Sequence, residues 1–210
     1  AVGLRSPEEN GDAVVDAWYP GAAGGAAGAA ALFGTISPAG RPPITFYRST
    51  EELPGFADYS MRGRTYRFMK NEALYPFGYG LSYTTFNYSD LQLSKTVLKS
   101  GEALEISVTV TNTGSISSYE VVECYIRDNE AGVEVPNFSL CAFKRTHIKA
   151  GQSKTIALTV SPDAMRIVDD KGDRYIEPGE FTLWVGSTAP DSRSTALLGT
   201  APLSASFCVE

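Results

Sequence analysis

Between Leu104 and Thr111 the chain alternates without a fault. Leu104, Ile106, Val108 and Val110 are apolar, and Glu105, Ser107, Thr109 and Thr111 are polar. A period of two puts one set on each face of an extended strand, so this stretch is a half-buried strand that must lay its apolar face on a second layer. Asn112-Thr113-Gly114-Ser115 then reads as a turn. The same grammar continues: strands at 119–127, 140–148 and 154–160, the last two separated by Lys149-Ala150-Gly151-Gln152. After Ser161-Pro162 come Met165 to Val168, the Asp169-Asp170-Lys171-Gly172-Asp173 turn, Arg174 to Glu177, the Pro178-Gly179 turn, Phe181 to Ser187 and Leu203 to Val209. Short strands punctuated this regularly predict an antiparallel β-sandwich of immunoglobulin or fibronectin type III character over 86–210, long enough to fold alone.

Upstream the pattern is different. Ala13 to Trp18 is a short apolar run, Tyr19-Pro20-Gly21 a turn, and 26–33 an alanine-rich segment with Gly34 placed to cap it, which predicts strand, turn and helix. Small residues from Ala22 to Ala31 suit a helix packed closely on a sheet. Gly40-Arg41-Pro42-Pro43 leads into a second short strand, Ile44-Thr45-Phe46. One crossover helix between two strands belongs to a parallel sheet covered on both faces, and this chain supplies too few elements to build one. Residues 1–50 are therefore expected to be the remnant of a larger α/β domain whose other strands lie elsewhere.

Between the two parts, 51–85 reads as a long connecting loop rich in aromatic and arginine side chains. Tyr75-Pro76-Phe77-Gly78-Tyr79-Gly80-Leu81-Ser82-Tyr83-Thr84-Thr85-Phe86 holds five aromatic rings in twelve positions, too many for a solvated linker. This stretch is expected to be packed into a seam. Tyr75, Phe77, Tyr79 and Tyr83, together with Trp18 and Tyr19, are the candidate docking residues between domains. Asp58, Tyr59, Arg64, Tyr66 and Arg67 mix rings with guanidinium donors. Such a loop can contact a sugar by stacking and hydroxyl bonding, or it can glue itself to its own domains.

A net charge of −6 and a pI near 4.9 argue against nucleic acid or an anionic membrane as partner. The Gly-interrupted run 22–33 is too short to span a bilayer, and 1–10 has neither the basic start nor the apolar core of a signal segment. Cys124, Cys141 and Cys208 are too few for a disulfide framework and read as buried free thiols, of which at most two could pair. A single histidine, His147, offers no metal site, and Asp169, Asp170 and Asp173 lack the ligand spacing of a calcium loop. No cofactor and no metal are expected. Trp184 reads as a core or interface residue. Asn87-Tyr88-Ser89 and Asn137-Phe138-Ser139 fit the glycan-acceptor pattern.

Certain ordered motifs go further. Ala17-Trp18-Tyr19-Pro20-Gly21, Gly24-Gly25, Ala31-Leu32-Phe33-Gly34, Ser37-Pro38-Ala39-Gly40-Arg41 and Pro43-Ile44-Thr45-Phe46 resemble the end of the α/β sandwich domain of glycoside hydrolase family 3. The similarity continues through Asp58-Tyr59-Ser60-Met61, Gly63-Arg64-Thr65-Tyr66-Arg67-Phe68 and 75–84. It then enters the fibronectin type III-like domain with Phe143-Lys144-Arg145 and Glu177-Pro178-Gly179-Glu180-Phe181; residues 1–11 match no motif. The resemblance implies an exo-acting retaining β-xylosidase or β-glucosidase, with one carboxyl as nucleophile and another as acid/base about 5 Å away. It also implies that the nucleophilic Asp lies in an N-terminal TIM-type barrel and the acid/base Glu earlier in the α/β domain. Neither motif occurs here, so no catalytic residue is assigned. The implied partners are those missing catalytic domains and, for the whole enzyme, an oligosaccharide. The other class of reading is a stand-alone carbohydrate- or protein-binding β-sandwich module.

Overall fold

The computed structural model describes residues 9–210. Expectations that fall on 1–8, including the start of the α/β remnant and most of the segment weighed as a signal, lie outside the described residues.

Among the described residues, ten strands make up most of the regular structure. A three-stranded sheet has the order β1-β3-β6, with β1 at Phe86–Leu93, β3 at Leu104–Asn112 and β6 at Ser153–Val160. A five-stranded sheet has the order β2-β10-β9-β4-β5, with β2 at Val97–Leu98, β4 at Ser118–Asp128, β5 at Ser139–Ile148, β9 at Gly179–Gly186 and β10 at Leu203–Val209. All pairs are antiparallel except β2 with β10. A small hairpin, β7 at Ile167–Val168 and β8 at Arg174–Tyr175, closes on the aspartate turn. There Asp169 accepts from the backbone N–H of Lys171 and Asp173.

The apolar phase of β3 explains the sandwich. Leu104, Ile106, Val108 and Val110 are all 3% exposed or less, and they face Val122, Cys124 and Ile126 of β4 with Leu183, Val185, Phe207 and Val209. Each such aliphatic side chain contributes about 2 kcal/mol of burial free energy, an upper figure because the unfolded chain is itself partly collapsed. Phe181 and Phe207 stack at 5.3 Å in the same core. At one corner, fully buried Asn112 donates to Ile148 O (3.1 Å) and Ile116 O (2.9 Å) and accepts from Thr84 and Gly114.

The upstream part differs from its sequence reading. The alanine-rich helix forms at Gly24–Leu32, and Gly34, with φ +73°, follows it. But no residue of the helix is buried, so the small side chains are not spent on a sheet. The expected strand at 13–18 has no ladder, and of 44–46 only Phe46 pairs, in an isolated antiparallel bridge with Tyr75. An extended segment needs a neighbour for its N–H and C=O groups, and the described chain brings no partner strand to either stretch. The sequence reading named neither β1 nor β2, nor the short helix at Thr65–Phe68, nor a helix at Ser192–Leu198 whose N-cap Asp191 accepts from Ser194 N and whose C-terminus ends on Gly199.

Candidate functional site at the seam

The connector lies against the outer face of β4. Leu74 N and Phe46 N form the two bonds of the bridge, at 2.8 and 3.0 Å, and Gly78 N donates to Pro42 O at 2.9 Å. Phe77 O accepts from Ala189 N and from the Thr188 hydroxyl. Tyr75 and Tyr79 stack at 5.6 Å with their planes 7° apart. Phe77 packs against Tyr66 at 4.4 Å and meets the edge of Tyr125 at 6.4 Å; Tyr66 continues to Phe138 at 5.7 Å, and Phe138 to Trp184 at 6.4 Å. These rings cover Tyr125, which is fully buried. Each well-oriented pair adds about 1 kcal/mol beyond its area.

Two buried acidic residues of β4 complete the seam. Glu120 meets Arg41 at 2.6 Å and accepts from the Tyr88 hydroxyl at 2.7 Å, with the Arg41 and Glu120 side chains 6% and 1% exposed. Three segments meet at that carboxyl: the upstream part, β1 and β4. Burial pushes the Glu120 carboxyl up, against the downward pull of Arg41 and Tyr88. Glu123 accepts from the Tyr125 hydroxyl at 2.6 Å, and burial raises its carboxyl to about 7. Burial also pushes the Tyr88 and Tyr125 hydroxyls well above the ordinary phenol range. Neither carboxyl lines the groove between β5 and β6, and both are occupied by neighbours. This is the chemistry of a latch.

The loop candidates separate into two groups. Arg64 braces its own turn, its guanidinium donating to Asp58 O (2.7 Å), Ser60 O (3.1 Å) and Gly55 O (3.3 Å). Asp58 accepts from Ser60 N at 2.8 Å, which holds its carboxyl below the usual range. The turn displays Tyr59 at 91% exposure and Phe56, which the sequence reading passed over, at 98%. Tyr66 and Arg67 point the other way. Tyr66 accepts from Leu140 N, and Arg67 donates to the Ser139 hydroxyl at 3.0 Å. Both side chains reach β5 of the same chain.

The docking candidates separate as well. Tyr75, Phe77 and Tyr79 sit in the seam, and Tyr83 donates its hydroxyl to Ala31 O while remaining exposed. Trp18 and Tyr19 are 52% and 99% exposed, and Leu32 and Phe33 close by in sequence are 68% and 87% exposed. Trp184 is half-buried, and His147 lies edge-on to Tyr119 at 5.0 Å. Of the thiols, Cys124 is buried, Cys141 half-buried and Cys208 exposed on β10, so the expectation of three buried thiols is corrected. Cys208 lies on the outward phase of its strand, between core residues Phe207 and Val209. Arg41, Glu120, Tyr88, Glu123 and Tyr125 were missed as a group. The available signal was two carboxylates in the otherwise apolar and aromatic run 119–126.

Two family models match the chain. Residues 2–83 match the glycosyl hydrolase family 3 C-terminal domain, which includes most of the stretch 1–11 where no motif was read. Residues 120–189 match the fibronectin type III-like domain. A xylan 1,4-beta-xylosidase of Xylanibacter ruminicola is 38% identical over 91% of this chain and 22% of its own length. A periplasmic beta-glucosidase of Salmonella typhimurium is 34% identical over 87% of the chain and 26% of its own length. Among solved structures, a β-glucosidase of Erythrobacter marinus superimposes with a TM-score of 0.83 at 31% identity, covering 100% of this chain and 27% of that one. A beta-glucosidase of Listeria innocua in complex with gluconolactone gives 0.82 at 26% identity, covering 99% of this chain and 29% of that one. The chain spans about a quarter of the length of the curated relatives it matches.

Proposed function

The chain belongs to glycoside hydrolase family 3, where it corresponds to the C-terminal portion of the members it matches, and from that membership we propose that it is the scaffolding part of an exo-acting β-glycosidase. In this reading the whole enzyme removes terminal non-reducing β-linked sugars, of β-xyloside or β-glucoside type, with retention of configuration. The nucleophilic Asp and the acid/base Glu lie in the N-terminal barrel and the earlier part of the α/β domain. The tyrosine hydroxyls and the guanidinium that occupy the acidic residues of the seam support a structural role for them, since a general acid or nucleophile must be open to its substrate.

One observation carries the proposal. Trp18, Tyr19, Leu32 and Phe33 are large apolar side chains displayed on the part of the chain that precedes a tightly latched seam. A covering surface elsewhere in the enzyme gives them a place, and the catalytic domains are that surface. The test is reconstitution: this chain and the remaining part of the protein, expressed as two polypeptides, should together hydrolyse an aryl β-xyloside or β-glucoside that neither hydrolyses alone. Turnover by this chain alone overturns the proposal. The second reading, a stand-alone carbohydrate-binding module, is favoured by Phe56 and Tyr59 on their Arg64-braced turn. It requires that the isolated chain be retarded by soluble xylan or β-glucan in affinity electrophoresis.

A further inference from the structure

The core of the sandwich holds a pair of thiols that the glycosidase reading does not use. Cys124 of β4 and Cys141 of β5 have their sulfurs 3.5 Å apart, and the Cys141 thiol also donates to Cys124 O at 3.2 Å. Their meeting depends on an irregularity of the ladder. Cys124 is opposite Ala142 and Tyr125 is opposite Leu140, so Cys141 is the extra residue of a β-bulge. A bulge turns its extra side chain away from the regular alternation, and here it brings that thiol to the buried one. The two differ in access. Cys124 is fully buried, whereas half-buried Cys141 lines a groove of about 430 Å³ between the edge strands β5 and β6, with Leu140, Ala142, Phe143, Leu158 and Thr159 among its walls.

We propose that Cys124 and Cys141 form a reversible dithiol–disulfide pair, oxidised by exchange with a low-molecular-weight disulfide that enters the groove between β5 and β6. Cys141, as thiolate, attacks one sulfur of the oxidant; a mixed disulfide forms and one small thiolate leaves, to be protonated by solvent. Cys124 then gives up its proton, its sulfur attacks Cys141 Sγ, and the second small thiol leaves. Two protein thiols have lost two protons and two electrons, and one small disulfide has become two thiols. The second step is the slow one, because Cys124 is fully buried even after Cys141 has lost its thiol hydrogen to the first step, and a buried, protonated thiol is a poor nucleophile. Closure requires the sulfurs to approach from 3.5 Å to about 2 Å, a small movement for a bulged edge strand.

Oxidised glutathione is the probe, used on the full chain carrying Cys208→Ser so that the exposed third thiol contributes nothing. Intact mass after alkylation in denaturant should show loss of two hydrogens and no alkylation, and peptide mapping should link 124 to 141. In Cys141→Ser, Cys124 should stay a free thiol with no glutathione adduct; in Cys124→Ser, Cys141 should stop at the mixed disulfide. A stable mixed disulfide at Cys141 in the parent, with Cys124 still alkylated after prolonged incubation, overturns the proposal. So does glutathione on Cys124 in Cys141→Ser, or two thiols that remain unreacted at every concentration of oxidant.

Discussion

The backbone of Gly78 rests on the carboxyl group of Glu123. A Cβ built on Gly78 would overlap both oxygens and the carbon of that carboxyl, and the glycine itself holds φ at +80°, in the left-handed region. Connector and sandwich thus meet at a place where no side chain fits. Gly78→Ala should destabilise the chain by about 2–3 kcal/mol, adding the left-handed penalty to the displacement of a buried carboxyl. Urea unfolding followed by fluorescence measures this as a lower midpoint with unchanged slope.

Glu123 itself makes stability depend on pH. Burial raises its carboxyl from 4.5 to about 7 in the folded chain, while Tyr125 and Arg41 pull it down and Glu120 pushes it up. A group with the higher value in the folded state binds its proton more tightly there. Its contribution is therefore complete below the unfolded value and is lost as pH rises from about 4.5 to 7. The loss amounts to about 3 kcal/mol at most. Glu123→Gln keeps an acceptor for the Tyr125 hydroxyl and removes the titration, so its stability relative to the parent should rise from pH 5 to pH 8 and then level off. Parallel unfolding curves across that window would contradict the assignment.

Arg41 and Glu120 should couple strongly. Removing one partner leaves the other buried without compensation, so Arg41→Met should cost about 3–5 kcal/mol. The Glu120→Gln change in that background should recover part of the loss, because the amide carries no charge into the seam. A double-mutant cycle by chemical denaturation reads the coupling directly, and additive effects would show that the pair does not act as a latch.

How much of this was readable from sequence depends on the range of the cause. The alternation over 104–111 is local, and β3 appears where it predicts, with every apolar residue of that phase buried. The aromatic connector was legible for the same reason, since ring density alone demands cover. The latch was not, because Arg41 is 79 positions from Glu120 and Tyr88 is 32. Nor was the state of 13–18 and 44–46: their apolar runs are consistent with strands, but a strand exists only with a partner, and the partner is not a property of the run. The helix at Ser192–Leu198 was overlooked although its start at Asp191 and its stop at Gly199 carry ordinary capping signals.

The displayed apolar side chains give the last prediction. Tyr19 and Phe33 are 99% and 87% exposed, so replacing both with serine removes no packing among the described residues. The thermal midpoint of the isolated chain should therefore move by less than about 2 °C, as for surface substitutions generally, while its tendency to self-associate in light scattering should fall. In the complete protein the same pair should behave oppositely. There the rings are taken to be covered by the catalytic domains, and losing two buried aromatic side chains should cost several kcal/mol at that interface. Glycosidase activity after mild heating should then fall well before the parent's does. If the serine variants match the parent in the complete protein, the rings are not a docking face. Phe56 and Tyr59 separate the two readings further: Phe56→Ala with Tyr59→Ala should leave domain assembly untouched, so a change only in KM or polysaccharide retardation would assign that turn to sugar contact.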